Sequence, residues 1–291
     1  MVDRVLSERR CREAIALAER YGWGTEPVIA PALMTLAGTM VWLGEFDGGE
    51  RWLRRTERAL QTDTGPDIRL LLHQTAGILH AGRGRHRGAL EEFSAAEHLG
   101  SQLEGSHALA SQVTGWLLAT QARLGRPGEA RAALAALDSE RAGSGEIGDA
   151  RAVICLAEGD PAAALDAVRA VLDGAAPVIG YVTVVEAQLL AGLARRALGD
   201  QRAANQAAER ALALAEADRL VLPFAMTGSA GLLRASRGTT GRPAQERLNM
   251  NGGRTHLDRI GDVTPLVLAY ATAPLRVAAH WASAVSRVGG S

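Results

Sequence analysis

Leu43-Gly44-Glu45-Phe46-Asp47-Gly48-Gly49-Glu50 closes one apolar run and opens the next. Glycine suits the left-handed backbone position that ends a helix, because it carries no Cβ penalty there. Five residues after Gly44 stands a second small residue, Gly49, which lets the following helix approach the preceding one closely. The same arrangement recurs at Gly84/Ala89, Gly125/Ala130, Gly159/Ala164 and Gly199/Ala204. The turn glycines are 40, 41, 34 and 40 residues apart. Self-similarity at this period indicates stacked helical hairpins, each too small to bury its own apolar face.

Around these turns the apolar residues recur three and four apart, the helical period. Second helices are expected to begin at Glu50, Ala89, Ala130, Ala164 and Ala204. Pro127 and Pro161 fall where a helix begins and a missing N–H costs little. The β-branched run Val182-Thr183-Val184-Val185 leads directly into Glu186-Ala187-Gln188-Leu189 and reads as helix. The expected fold is all-α, a right-handed superhelix of five to six hairpins over residues 1–224. The stretch 225–291 is expected to be irregular: Arg237-Gly238-Thr239-Thr240-Gly241-Arg242-Pro243 and Asn249-Met250-Asn251-Gly252-Gly253 have no helical period. A short helix between Leu266 and Val288 is compatible with its prolines. That tail reads either as an out-of-frame translation of GC-rich DNA or as an independent segment.

Composition narrows the chemistry. All 32 basic residues are arginine, and aromatics make up only 4% against 47% hydrophobic residues. Without lysine there is no Walker A loop, no Schiff-base lysine and no kinase lysine on ATP. Residues 1–227 carry 24 arginines against 29 acids, and residues 228–291 carry 8 against 3. An acidic body does not mark a nucleic-acid surface. The two cysteines, Cys11 and Cys155, lack partner ligands and suit a reduced, cytoplasmic setting. No signal-peptide core opens the chain, and the apolar stretch from Val263 is interrupted by Pro265, Pro274, Arg276 and His280, which argues against a membrane span.

Site motifs are sparse. The histidines His73 and His80 lack a third ligand nearby, and no H-E-x-x-H or paired C-x-x-C occurs, so no metal or other cofactor is expected. In Gly82-Arg83-Gly84-Arg85-His86-Arg87-Gly88 the third glycine comes too late for a dinucleotide fingerprint; its basic side chains suit a solvated turn or an anion. The acids of the second helices, among them Glu91, Glu92, Glu97, Glu129, Asp166 and Glu209, have arginines within about a helical turn. No clustered acids suggest a catalytic pair. Trp52 and Trp116 read as core. Repeat register instead nominates concave-face residues for binding a partner: Trp42, Gln74, Gln112, Arg123, Glu186 and Arg196. Replacing Arg123 and Arg196 by Ala is expected to weaken such binding without unfolding.

The turns Leu43 to Glu50 and Gly84 to Phe93 resemble the inter-helix turn of tetratricopeptide repeats. Periods near 40, with Cys11-Arg12-Glu13-Ala14-Ile15-Ala16-Leu17-Ala18-Glu19-Arg20 and the run Trp42 to Leu60, are similar to the sensor region of MalT-like regulators of the LuxR superfamily. That resemblance covers about residues 5–224. It implies a cytoplasmic regulator with an ATPase module, a helical-repeat domain that takes part in effector sensing and self-association, and a DNA-binding helix-turn-helix. This chain departs from the plan twice. It lacks the lysine an ATPase needs, and residues 228–291 contain no L-T-x-R-E start, so neither ATP hydrolysis nor direct DNA binding carries over. What the resemblance leaves is a non-catalytic region binding a protein or small effector in its groove. A free-standing repeat adaptor and, less well supported, an all-α enzyme are the alternatives.

Overall fold

A computed structural model describes residues 4–60, 65–103, 108–229 and 232. Among these residues the chain is all-helical, with no strand. A first helix, α1 (Arg4–Arg20), and a 3-10 turn at Pro27–Ile29 precede five two-helix units. These are α2 (Ala30–Trp42) with α3 (Phe46–Ala59), α4 (Pro66–Gly82) with α5 (His86–Ser101), and α6 (Ala110–Arg123) with α7 (Pro127–Ala135). After the one-turn helix α8 (Ser139–Ala142) come α9 (Gly145–Ala157) with α10 (Pro161–Leu172), then α11 (Tyr181–Ala197) with α12 (Gln201–Glu216). A last short helix, α13 (Leu222–Thr227), follows. Among the described residues no helix is long and apolar enough to cross a membrane.

The five turns share one backbone solution. Gly44, Gly84, Gly125, Gly159 and Gly199 have φ of +77°, +70°, +79°, +80° and +84°. At Gly44 the glycine N–H donates to the Val41 carbonyl, and the next N–H, of Glu45, donates to the Met40 carbonyl. Gly84/Arg85, Gly125/Arg126, Gly159/Asp160 and Gly199/Asp200 repeat this pair of bonds onto their own helices. This satisfies carbonyls that a helix end otherwise leaves open. Pro127 and Pro161 each occupy the first helical position, and Asp160 and Asp200 accept the N–H of Ala163 and Ala203 at 2.9 Å as N-caps.

The second helices therefore begin two residues after each glycine. The expected starts at Glu50, Ala89, Ala130, Ala164 and Ala204 were too late because apolar periodicity becomes visible only after the first turn. The small residues sit on that first turn, and they are buried. At Gly49 an added Cβ would lie 2.6 Å from Val41 Cγ2 and 3.3 Å from the Ala37 carbonyl, so the two helices approach at backbone range. The 34-residue spacing reflects α7, nine residues long where α5 and α12 have sixteen.

The first helices of the units pack on one another, α2 on α4, α6 on α9 and α9 on α11. Gln74 of α4 bonds to Gln112 of α6. Against this row lies α13, touching α2, α4 and α11. One apolar core consequently gathers Val41 and Trp42 of α2, Leu79 of α4, Val185 and Leu189 of α11, and Leu222, Phe224 and Met226 of α13. A second core joins α6, α7, α9, α10 and α11. Helix α13 crosses the expected boundary at residue 224, and Leu232 beyond it is buried against Ala204 and Ala208. The rest of the expected irregular tail, from residue 233, lies outside the described residues.

Candidate functional site

The first helices aim several polar side chains inward, toward α13. On α6, Gln112, Trp116 and Arg123 line a cavity together with Gly115 and Ala119. Helix α9 contributes Glu146, Asp149 and Val153, and α11 contributes Thr183, Glu186 and Leu190. Met226 and Thr227, the last turn of α13, close the remaining side. The space open to the centre of a water-sized sphere is about 20 Å³, which is room for one or two waters.

Helical spacing places these groups. Glu146 and Asp149 are three apart on α9, and Asp149 and Val153 four apart, so one face of the helix carries all three. Thr183, Glu186 and Leu190 repeat that spacing on α11. Close approach of α6 to α9 depends on Gly115, where a Cβ would stand 2.7 Å from the Glu146 carbonyl oxygen.

The three carboxylates are not equivalent. Glu146 is buried and satisfied: its Oε1 accepts the Ile179 N–H at 2.7 Å and the Thr183 hydroxyl at 2.8 Å. The Trp116 indole favours the charged form of Glu186, whose Oε1 is buried with no hydrogen-bond partner. Asp149 is only 5% exposed, and neither of its carboxylate oxygens has a partner.

Burial sets the protonation. It pushes the Glu186 carboxyl up to about 7, against the opposing pull of the Arg123 guanidinium. It raises Asp149 well above the ordinary aspartate range, and the negative charges of Glu186 and Glu146 push the same way. The Arg123 guanidinium is lowered by burial to about 10, with Glu186 working against that shift. Arg123 and Glu186 each keep some surface open while lying deep among protein atoms. Among the described residues, Arg123 has no carboxylate within ion-pairing distance. Three carboxyls thus line the cavity with one guanidinium, which acts electrostatically on Glu186 without forming an ion pair.

Of the residues that repeat register nominates, Gln112, Arg123 and Glu186 meet in this cavity. Gln74 is fully buried beside it and donates to Gln112 Oε1 at 3.1 Å. Trp42 is buried, its ring 6.1 Å from that of Trp116. Arg196 is exposed at the end of α11 and does not line the cavity. The sequence reading that no acids cluster is overturned by Glu146, Asp149 and Glu186, which come from two helices and meet only in the fold. A signal was present in Gly145-Glu146-Ile147-Gly148-Asp149-Ala150: two carboxylates on the face of a helix rich in Ala, Ile and Val, with no arginine on that face to pair with them. Among the described residues no group of His, Cys, Asp or Glu is disposed to hold a metal ion.

No family model matches the chain, and no curated protein matches it.

The basic turn at Gly82 to Gly88 is internally neutralised in part. Arg83 is largely buried and bonds to Glu50 at 2.8 Å and Asp47 at 2.5 Å on the neighbouring unit. His73 meets Glu92 at 2.8 Å.

Proposed function

We propose that the chain is a non-catalytic helical-repeat binding region of tetratricopeptide type, a right-handed superhelix whose groove receives a peptide segment or a small effector. The observation that carries this reading is the seating of α13. A six-residue helix, Leu222-Pro223-Phe224-Ala225-Met226-Thr227, lies on the first helices of units at both ends of the row. Its apolar side chains fill the groove, and the Val221 N–H bonds to the Trp42 carbonyl at 2.9 Å. The groove therefore already accommodates a short apolar helical segment, in the manner of helix-in-groove recognition.

The fuller reading places this region in a MalT-like regulator of the LuxR family, where it would couple effector binding to self-association in the cytoplasm. Its support is the repeated glycine turn and the near-40-residue period. A free-standing adaptor uses the same groove. A catalytic reading would rest on Glu146, Asp149 and Glu186, but the cavity they line has no space for a substrate while α13 is seated.

Release of α13 tests the binding reading. Leu222→Asp with Phe224→Asp is expected to free the groove while leaving the helical circular dichroism intact. The released protein should then bind a synthetic peptide of residues 220–229, which the wild-type chain should not. Loss of the cooperative fold in that variant would mean that the remaining helices cannot stand without α13, and the groove reading would fall.

A further inference from the structure

We infer that the pocket between α6, α9 and α11 is a binding site for a cationic nitrogen group, a primary ammonium or guanidinium, held by Asp149 and Glu186. The inference rests on the reading that the groove takes a ligand, and it adds the chemistry of that ligand.

Two independent features point to it. The first is an excess of carboxyl groups over basic ones: Glu146, Asp149 and Glu186 line the same cavity as the single basic side chain Arg123, so a bound cation would find carboxyls ready to give up their protons. The second is Asp149 itself, 5% exposed, lining the cavity, with both oxygens unpartnered. A buried carboxyl without a hydrogen bond carries a desolvation penalty whichever protonation state it holds. Glu186 Oε1 is unpartnered as well. These three oxygens have no hydrogen-bond partner, while Oε1 of Glu146, beside them, accepts from both Ile179 and Thr183. A donor-rich cation supplies what the acceptors lack: an ammonium brings three N–H groups and a guanidinium five. The indole of Trp116, lining the same wall, offers the aromatic neighbour that such cations favour. The carboxyls are not disposed to hold a metal ion, so the match is to an organic cation.

Met226 and Thr227 close the pocket, and its free space is only about 20 Å³. Binding therefore requires the last turn of α13 to give way. The same chemistry reaches the pocket either as a free amine or as an arginine side chain carried on a peptide.

The test uses the full chain, titrated calorimetrically with agmatine and separately with acetyl-Ala-Arg-Ala-amide, with tryptophan emission as the second readout. Saturable heat with agmatine alone supports a free amine as ligand. Saturable heat with the peptide, equal to or stronger than with agmatine, supports an arginine side chain. Asp149→Asn should weaken either by roughly tenfold or more. Arg123→Gln, which removes the resident competing cation, should strengthen it. Met226→Ala, which opens the lid, should do the same. Strengthening in these two variants cannot come from damage to the fold. No saturable binding of either probe, in the wild-type chain or in Met226→Ala, overturns the inference; so does binding that Asp149→Asn leaves unchanged. In those cases binding of the 220–229 peptide to the released groove would still stand, so the two readings fail separately.

Discussion

Val221 donates its backbone N–H to the carbonyl of Trp42 at 2.9 Å, tying the entry of α13 to the end of the first helix of the first unit. The contact depends on Gly44, where a Cβ would lie 2.7 Å from Val221 Cγ1. Gly125 has nearly the same φ, +79° against +77°, with nothing within 4 Å of its Cβ position. Gly125→Ala should lose only the left-handed backbone penalty, about 1–2 kcal/mol. Gly44→Ala should lose that and roughly 1–3 kcal/mol more from overpacking against Val221. Adding Val221→Ala should recover part of the second loss and none of the first. Denaturant unfolding of these three variants and of Val221→Ala alone measures the coupling.

Helix propensity and packing disagree at Gly77, and packing should win. An interior helical Gly→Ala change ordinarily gains up to about 1 kcal/mol. At Gly77 the new Cβ would fall 2.4 Å from Cε1 of Phe93, a ring with no exposed surface. Gly77→Ala should therefore destabilise by about 1–3 kcal/mol. Gly128→Ala, in the open first turn of α7, should be neutral to stabilising. Equal effects at the two sites would refute the packing argument.

The Gln74–Gln112 pair should behave non-additively. Both side chains are buried, and Gln74 Oε1 has no partner even with the pair intact. Gln74→Leu alone strands Gln112 and should lose about 1–3 kcal/mol. The double change to Leu removes both polar groups and should lose less than the sum of the single changes. A double-mutant cycle reads the difference directly.

Stability should fall as pH rises toward neutrality. Burial raises Glu186 from the ordinary 4.5 to about 7 in the folded chain, so the folded state holds this proton more tightly than the unfolded state. The associated stability is fully present below about 4.5 and is lost progressively as pH climbs through about 7. Its upper limit is about 3 kcal/mol, reduced by the part of the Glu186 side chain that water still reaches. The groups around Glu186 are Arg123 and Trp116 of α6 and Glu146 and Asp149 of α9. Asp149 is raised by its own burial and acts in the same direction. Glu186→Gln should flatten the profile relative to the wild-type chain, and Asp149→Asn should stabilise most at the alkaline end. A wild-type profile unchanged by Glu186→Gln would place that carboxyl in water.

The hairpin turns were legible in the sequence because each is decided within about six residues. A left-handed glycine, two main-chain bonds back to its own helix, and a small residue five positions on require no information from elsewhere. Helical type for Val182 to Val185 was legible for the same reason, since its continuation into Glu186 to Leu190 keeps the helical period. Helix starts were misplaced by several residues because the first turn has too few apolar positions to show a period.

The candidate site was legible only in fragments. Repeat register nominated Gln112, Arg123 and Glu186, because inward positions recur at fixed offsets from the turn glycine. It missed Glu146 and Asp149, and it could not place α13. Whether a carboxylate sits in water or beside another carboxylate is decided by helices distant in the chain, here α6, α9, α11 and α13 converging on one cavity. The local sequence thus fixes the helices and their turns through backbone geometry. The tertiary structure alone decides which polar groups lose water, and so where the chain has unmet chemistry to offer a ligand.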